Sequence, residues 1–164
     1  MSTRVRQDWK LCETAPIEPG IVCIDIERMM RFYCGVLGLQ LLNDAKTSPQ
    51  VSTRFGATPD GYRIVRLQTT LGQKLKLVQP KEPPERNRLP QWVYQRHGIA
   101  YLTFVVADVE DVVAQLSKHG VKVVSRGIVE VRAGIFAIYM LDPEDNYVEF
   151  IEYRAQVSER EDCQ

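Results

Sequence analysis

Apolar and polar residues follow one another along this chain in blocks, and the block order occurs twice. Ile21-Val22-Cys23-Ile24 is a short apolar run of the kind that forms a buried strand. Asp25 follows as a candidate helix cap. Met29, Met30, Phe32, Tyr33, Val36 and Leu37 then recur at helical spacing, up to a stop at Gly38. Residues 39–42 read as a second strand. Residues 43–61 are polar and rich in Ser, Thr, Pro and Gly, which predicts a long loop of the sort that often serves as a lid. Residues 62–69 and 74–79 follow as two strands joined through Gly72, with Leu75 and Leu77 alternating against Lys74 and Lys76. The predicted order is β-α-β-β-β.

The second copy opens with a strand over residues 99–106, rich in β-branched and aromatic side chains. Asp108 caps a helix whose apolar positions are Val109, Val112, Val113 and Leu116. Asp111 completes an approximate capping box, and Lys118 and His119 suit the negative end of the helix dipole before Gly120 stops it. Strands are predicted over 121–125, 135–141 and 147–153, the last two joined by an Asp142-Pro143-Glu144-Asp145-Asn146 turn. Two copies are too few for a solenoid, so the repeat predicts one pseudo-symmetric domain. The expected organisation is an N-terminal extension over 1–16, a first module over 17–79, a proline-stiffened linker over 80–97, a second module over 98–153 and a charged tail over 154–164.

Composition narrows the function classes. The 164 residues are 45% hydrophobic and 26% charged, an ordinary globular balance. The 21 basic and 21 acidic residues cancel, so no net field draws in nucleic acid or an anionic membrane. No apolar run approaches the roughly 18 residues of a membrane span, and residues 1–10 lack the apolar core of a secretion signal. Cys12, Cys23, Cys34 and Cys163 form no CxxC pair. Reduced thiols in a cytoplasmic protein are the expectation. There is no P-loop, dinucleotide fingerprint, nucleophile elbow or zinc-finger spacing.

Two motifs carry a resemblance. Ile24-Asp25-Ile26-Glu27-Arg28, Phe32-Tyr33 and Val36-Leu37-Gly38-Leu39 resemble the first module of the vicinal oxygen chelate superfamily, which includes glyoxalase I, methylmalonyl-CoA epimerase, extradiol dioxygenases and the bleomycin resistance proteins. The run Leu141-Asp142-Pro143-Glu144-Asp145-Asn146-Tyr147-Val148-Glu149-Phe150 is similar to that superfamily's closing segment. The resemblance covers residues 17–153 and implies an α+β fold, in which two paired βαβββ modules each curl a four-stranded sheet and together form an open, cleft-bearing, glyoxalase-like curved sheet. The fold does not by itself fix a reaction.

The resemblance also implies a place for metal ligands, on the first and last strands of each module. Those places fall on Glu18, Lys76, Tyr101 and Glu149, where histidines and carboxylates are the family's habit. An ammonium has no acceptor, so Lys76 cannot bind an ion. His119 is accounted for as a helix C-terminal residue, and His97 is roughly 13 Å along the strand from Tyr101. The expected cofactor is therefore none. Glu18, Tyr101 and Glu149 form the hard oxygen set that a divalent metal would use if one were retained. Lys76 between Glu18 and Glu149 then reads either as a salt-bridged cluster or as part of a catalytic site. In the catalytic version Glu149 or Glu18 is a general base, while Lys76 and Tyr101 steady an enolate or hold a carboxylate.

Arg63 and Arg66 face opposite sides of their strand, so at most one enters the cleft, and Arg66 is taken as a substrate-binding candidate with Arg54, Phe55 and Trp92. Arg86, Arg88 and Arg96 are further cations near the linker, and Tyr94 stands beside Trp92 as a second aromatic for a pocket mouth. The leading expectation is a metal-independent isomerase, epimerase or lyase that abstracts a proton beside a carbonyl of a small oxygenated metabolite. The alternative is a sequestering or resistance protein that binds a small molecule without changing it. An iron dioxygenase is disfavoured by Lys76 and the missing histidines. Family analogy adds a homodimer.

Overall fold

The computed structural model describes residues 16–86, 89–95 and 97–154. Cys12, Cys163, Arg88, Arg96 and all but the first residue of the expected tail lie outside them. The chain forms two compact units. One holds the chain up to residue 26 together with 33–84. The other holds 27–32 together with the chain from 85 onward.

The first unit is a four-stranded mixed sheet in the order β1-β4-β3-β2, built from β1 (Gly20–Val22), β2 (Gln40–Thr47), β3 (Tyr62–Gln68) and β4 (Lys74–Pro80). β1 runs parallel to β4, with Gly20 opposite Lys76, and the other pairs are antiparallel. The predicted alternation on β4 holds. Leu75 and Leu77 are buried, as are Val65 and Leu67 on β3, so one face of the sheet is the core face. Cys23, Ile26, Tyr33 and Leu39 complete the buried apolar set of this unit. Each such side chain contributes about 1.5–3 kcal/mol when fully buried. The opposite face is left to Lys74, Lys76, Arg66 and Gln68.

The helix expected after Asp25 exists but changes form. α1 (Ile26–Met30) is regular, then the coil widens into a π-helical stretch over Arg31–Val36 that contains Gly35. Gly38, at φ 76°, reverses the chain, and Leu39 N–H donates to the Tyr33 carbonyl at 2.9 Å.

The lid predicted over 43–61 is corrected by the structure. β2 runs on to Thr47, and α2 (Pro49–Phe55) follows. β2 is an edge strand, exposed along nearly its whole length, so it carries no apolar alternation to read. It is held instead by its ladder to β3 and by Arg63, whose Nε and Nη2 donate to Asp44 at 2.8 and 2.6 Å. Ser48 caps α2, Pro49 begins it, and Gly56 at φ 76° ends it. The Ser52 side chain is fully buried and ties α2 to the next turn, donating to the Thr58 carbonyl at 2.6 Å.

The second unit repeats the arrangement. Its sheet has the order β5-β8-β7-β6, from β5 (Tyr101–Val105), β6 (Val129–Arg132), β7 (Ile135–Leu141) and β8 (Tyr147–Tyr153). β5 is parallel to β8, as β1 is to β4. α3 (Val109–Lys118) packs on β7 and β8 through Val109 and Leu116. Asp108 caps it as expected, accepting from Asp111 N–H at 2.8 Å, and the C-cap is His119. The strand predicted over 121–125 is corrected. That segment makes only a bridge, Val123 to Met140, and the fourth strand is β6. Arg126 and Gly127, the latter at φ 126°, break the chain between them. Among the described residues, no helix is long and apolar enough to cross a membrane.

Candidate functional site

In the first unit, the register of three neighbouring chain segments brings four charged groups to one face. Gly20 and Arg66 both lie opposite Lys76, and Gln68 lies opposite Lys74. Glu18 leads into β1 on that side. Its Oε2 is 3.0 Å from Lys76 Nζ and 3.6 Å from Arg66 Nη2, and its Oε1 is 3.4 Å from Lys74 Nζ. The Lys76 contact is an ion pair without the alignment of a hydrogen bond, since the buried Oε2 has no such partner. The Lys76 ammonium is the main cause that holds the Glu18 carboxyl below its ordinary pKa, with Lys74 and Arg66 adding to it against the opposing effect of burial. Glu18 is thereby kept charged and made a poor proton acceptor near neutral pH.

The second unit gathers different groups. Thr103 on β5 and Tyr139 on β7 both lie opposite Glu149 on β8, and Tyr101 lies opposite Tyr147. Strand alternation therefore puts Tyr101, Thr103, Tyr139, Tyr147 and Glu149 on one face. Thr103 Oγ1 donates to Glu149 Oε2 at 2.7 Å. The Tyr94 and Tyr139 hydroxyls are 3.1 Å apart, and the Tyr101 and Tyr139 rings meet edge to face with centroids 5.3 Å apart. Tyr147 donates to the Pro90 carbonyl at 2.8 Å, which pins the preceding segment to the strand.

Burial, the Tyr94 hydroxyl and the charge of Glu149 push the Tyr139 pKa well above the ordinary phenol value. Tyr101 is pushed up too, chiefly by the Tyr94 hydroxyl. Both stay protonated donors at neutral pH. Glu149 and Tyr139 line a pocket of about 610 Å³ with Tyr94, Val129, Ile135 and Ile151 among its other walls.

Glu149 reaches this place because Asp142 fixes the turn before its strand. The buried Asp142 Oδ1 accepts from the Glu144 and Asn146 backbone N–H groups, and its Oδ2 from the Asn146 amide, all at 2.9 Å. Asp145 takes a positive φ of 66° to close the turn.

The structure thus joins Glu18 with Lys76 and Arg66, and Tyr101 with Glu149. Arg54 and Phe55 lie exposed on α2, and Trp92 is exposed outside the pocket lining. Thr103, Tyr139 and Lys74 were not singled out as site residues. Thr103 and Lys74 were readable by strand alternation, since Thr103 follows Tyr101 by two and Lys74 precedes Lys76 by two. Tyr139 needs the β7–β8 register, which a sequence does not print.

A divalent ion at the four ligand-equivalent positions fits the donors badly. The first sheet offers one carboxylate, already ringed by three cations. The second offers Glu149, shared with Thr103, and a Tyr101 phenol that resists losing its proton. Hard cations need several deprotonated or carbonyl oxygens at about 2.0–2.6 Å.

Paired βαβββ sheets of this order define the glyoxalase-like class. The chain matches the Glyoxalase/Bleomycin resistance protein/Dioxygenase superfamily over residues 15–150, and it belongs to that superfamily. Among solved structures it is similar to a glyoxalase family protein from Bacillus cereus, at TM-score 0.76 and 20% identity, covering 92% of this chain and 100% of that one. It is also similar to the trypanothione-dependent glyoxalase I of Leishmania major, at TM-score 0.60 and 22% identity, covering 83% and 84%. A third is a virulence protein from Salmonella typhimurium, at TM-score 0.54 and 22% identity, covering 88% and 99%. At these identities the likeness is one of fold. No curated protein matches the chain.

Proposed function

We propose that this chain is a small-molecule-binding member of its superfamily that works without a resident divalent ion. Its ligand is amphipathic, with an aromatic or aliphatic body and a cationic or hydrogen-bond-donating group aimed at Glu149. The observation that carries the reading is the setting of that carboxylate. Among the described residues it is the only acidic group in the wall of a pocket otherwise built largely from tyrosines and aliphatic side chains, with Arg132 the one cation in that wall. Its Oε2 is occupied by Thr103, and among the described residues nothing donates to Oε1. A carboxylate beside tyrosine faces is the chemistry that receives an ammonium, through charge and through the ring quadrupole.

The test is calorimetric titration with 2-naphthylmethylamine and with 2-naphthoate, which share a body and differ in charge. The amine is expected to bind about tenfold or more tighter, by the roughly 1.5–3 kcal/mol of a charge-assisted hydrogen bond. Glu149→Gln should erase the difference, and added chelator should change nothing. Equal binding of the two compounds, or a preference that survives in Glu149→Gln, refutes the reading.

A second reading is supported by the two protonated phenols on the Glu149 face. In it the carboxylate takes a proton from carbon, the C–H pair forms a C=C bond to the adjacent carbonyl carbon as that carbonyl's π pair moves to its oxygen, and Tyr101 or Tyr139 donates to that oxygen. The outcome would be isomerisation, epimerisation or elimination. Glu149→Gln separates the readings, because it abolishes turnover with little loss of binding in the second and changes affinity alone in the first.

A further inference from the structure

We propose that Arg66, Lys74 and Lys76 form an oxyanion receptor on the first sheet, with Glu18 as its built-in occupant. An inert ion pair needs one cation for one carboxylate. Here three cations lie within 3.6 Å of the single carboxylate of Glu18. The other acidic side chain on this sheet does not correct the excess. Asp44 pairs with Arg63 on the opposite face, as the β2–β3 register requires. Among the described residues, two positive charges on neighbouring strands therefore remain unneutralised. Like charges held this close repel, water screens part of that repulsion at these half-exposed side chains, and an arriving anion would relieve the rest.

The geometry suits a tetrahedral or planar oxyanion, such as a phosphate, phosphonate or carboxylate group. Arg66 brings a planar fork and the two lysines bring point charges from the adjacent strand. Gln68, opposite Lys74, adds an amide beside them. The site is open to a ligand. The Arg66, Lys74 and Lys76 side chains are 48%, 31% and 28% exposed, whereas Glu18 is 19% exposed and sits beneath them. Glu18 keeps the cations gathered when no ligand is present, and it competes with any anion that arrives. The proposal concerns the first unit alone and stands whether or not the Glu149 pocket binds an amine.

That competition gives the proposal a distinctive test. Orthophosphate is titrated into the full chain at constant ionic strength, and binding is read by calorimetry and by phosphorus NMR line width. Glu18→Gln removes the internal competitor's charge, so phosphate affinity should rise about 5- to 20-fold, on the scale of one lost charge-assisted contact. Lys76→Met should lower it by about tenfold or more. Lys118→Met on α3, which removes the same charge elsewhere, should leave it unchanged. Circular dichroism confirms that each variant is folded. Glu18→Gln with unchanged or weaker phosphate binding overturns the proposal, as does equal loss in Lys76→Met and Lys118→Met. Should Lys76→Met fail to fold, Glu18→Gln against wild type decides the matter alone.

Discussion

Asp142→Ala is the substitution whose cost the structure defines most closely. It removes acceptors for three hydrogen bonds of 2.9 Å, two from backbone N–H groups and one from the Asn146 amide, at a residue 3% exposed. Bonds to a charged acceptor contribute about 1.5–3 kcal/mol each. The donors belong to Glu144 and Asn146, which are only half-buried, so water recovers part of what is lost. Halving the sum leaves about 2–4 kcal/mol of destabilisation. At this chain length each kcal/mol moves the melting point by about 2–4 °C, which predicts a fall of roughly 4–16 °C. Asp142→Asn keeps the acceptor oxygen for the two backbone donors but sets its own amide against that of Asn146. It should cost about 1–2 kcal/mol. Urea unfolding followed by circular dichroism ranks the three proteins. An Ala variant within 0.5 kcal/mol of wild type, or an Asn variant less stable than Ala, refutes the idea that this carboxylate holds the turn (the lower bound set by ordinary surface substitutions).

Acid sensitivity follows from three carboxyls held below their ordinary pKa: Glu18 by Lys76, Asp44 by Arg63 and Glu152 by Arg154. A depressed folded-state pKa means the stabilisation is present above the unfolded value and is lost as pH falls through the folded one. The urea midpoint should therefore drop as pH is lowered below about 4.5, and Glu152→Gln should flatten that drop. Gly61→Ala should destabilise by about 2–4 kcal/mol, since strained backbone and a steric clash each cost on that scale. Its φ is 83°, and an added Cβ would lie 2.5 Å from the Thr47 carbonyl oxygen. A melting point within 2 °C of wild type would show that the turn relaxes freely.

The duplicated block order was legible because both copies print the same cues. Asp108, Asp111 and Gly120 bound α3, and the Leu75/Leu77 alternation gives β4 its faces. β2 and α2 were less legible for a physical reason. An edge strand in solvent has no buried face, so its residues carry no period. Even so, Ser48, Pro49 and Gly56 spell the beginning and end of α2, and the Ser-Pro pair was available to read. The strand expected at 121–125 failed in the other direction. Its valines have the right propensity, but propensity does not say where a neighbour's ladder begins, and β7 takes residues 129–132 for its full pairing. The site was half readable. Period-two alternation puts Lys74 with Lys76 and Thr103 with Tyr101, whereas Arg66 and Tyr139 join them only through cross-strand register.

The four ligand-equivalent positions have not simply lost their ligands, because the residues around them have a chemistry of their own. Had Lys76 alone replaced a ligand, Glu18 would neutralise it and the result would be one buried ion pair. Lys74 and Arg66 make that explanation insufficient, since each adds a charge that the first sheet does not balance. On the second sheet, Tyr101 is one phenol of a group, packed against Tyr139 and near Tyr94, and the charge of Glu149 helps to keep Tyr101 and Tyr139 protonated. A cation drawing on the first sheet would meet repulsion, and one drawing on the second would meet donors. An anion meets the reverse on the first, and an ammonium finds one carboxylate on the second. On the readings proposed here each sheet is a binding surface in its own right, with opposite charge preference, and the two can be tested with separate probes.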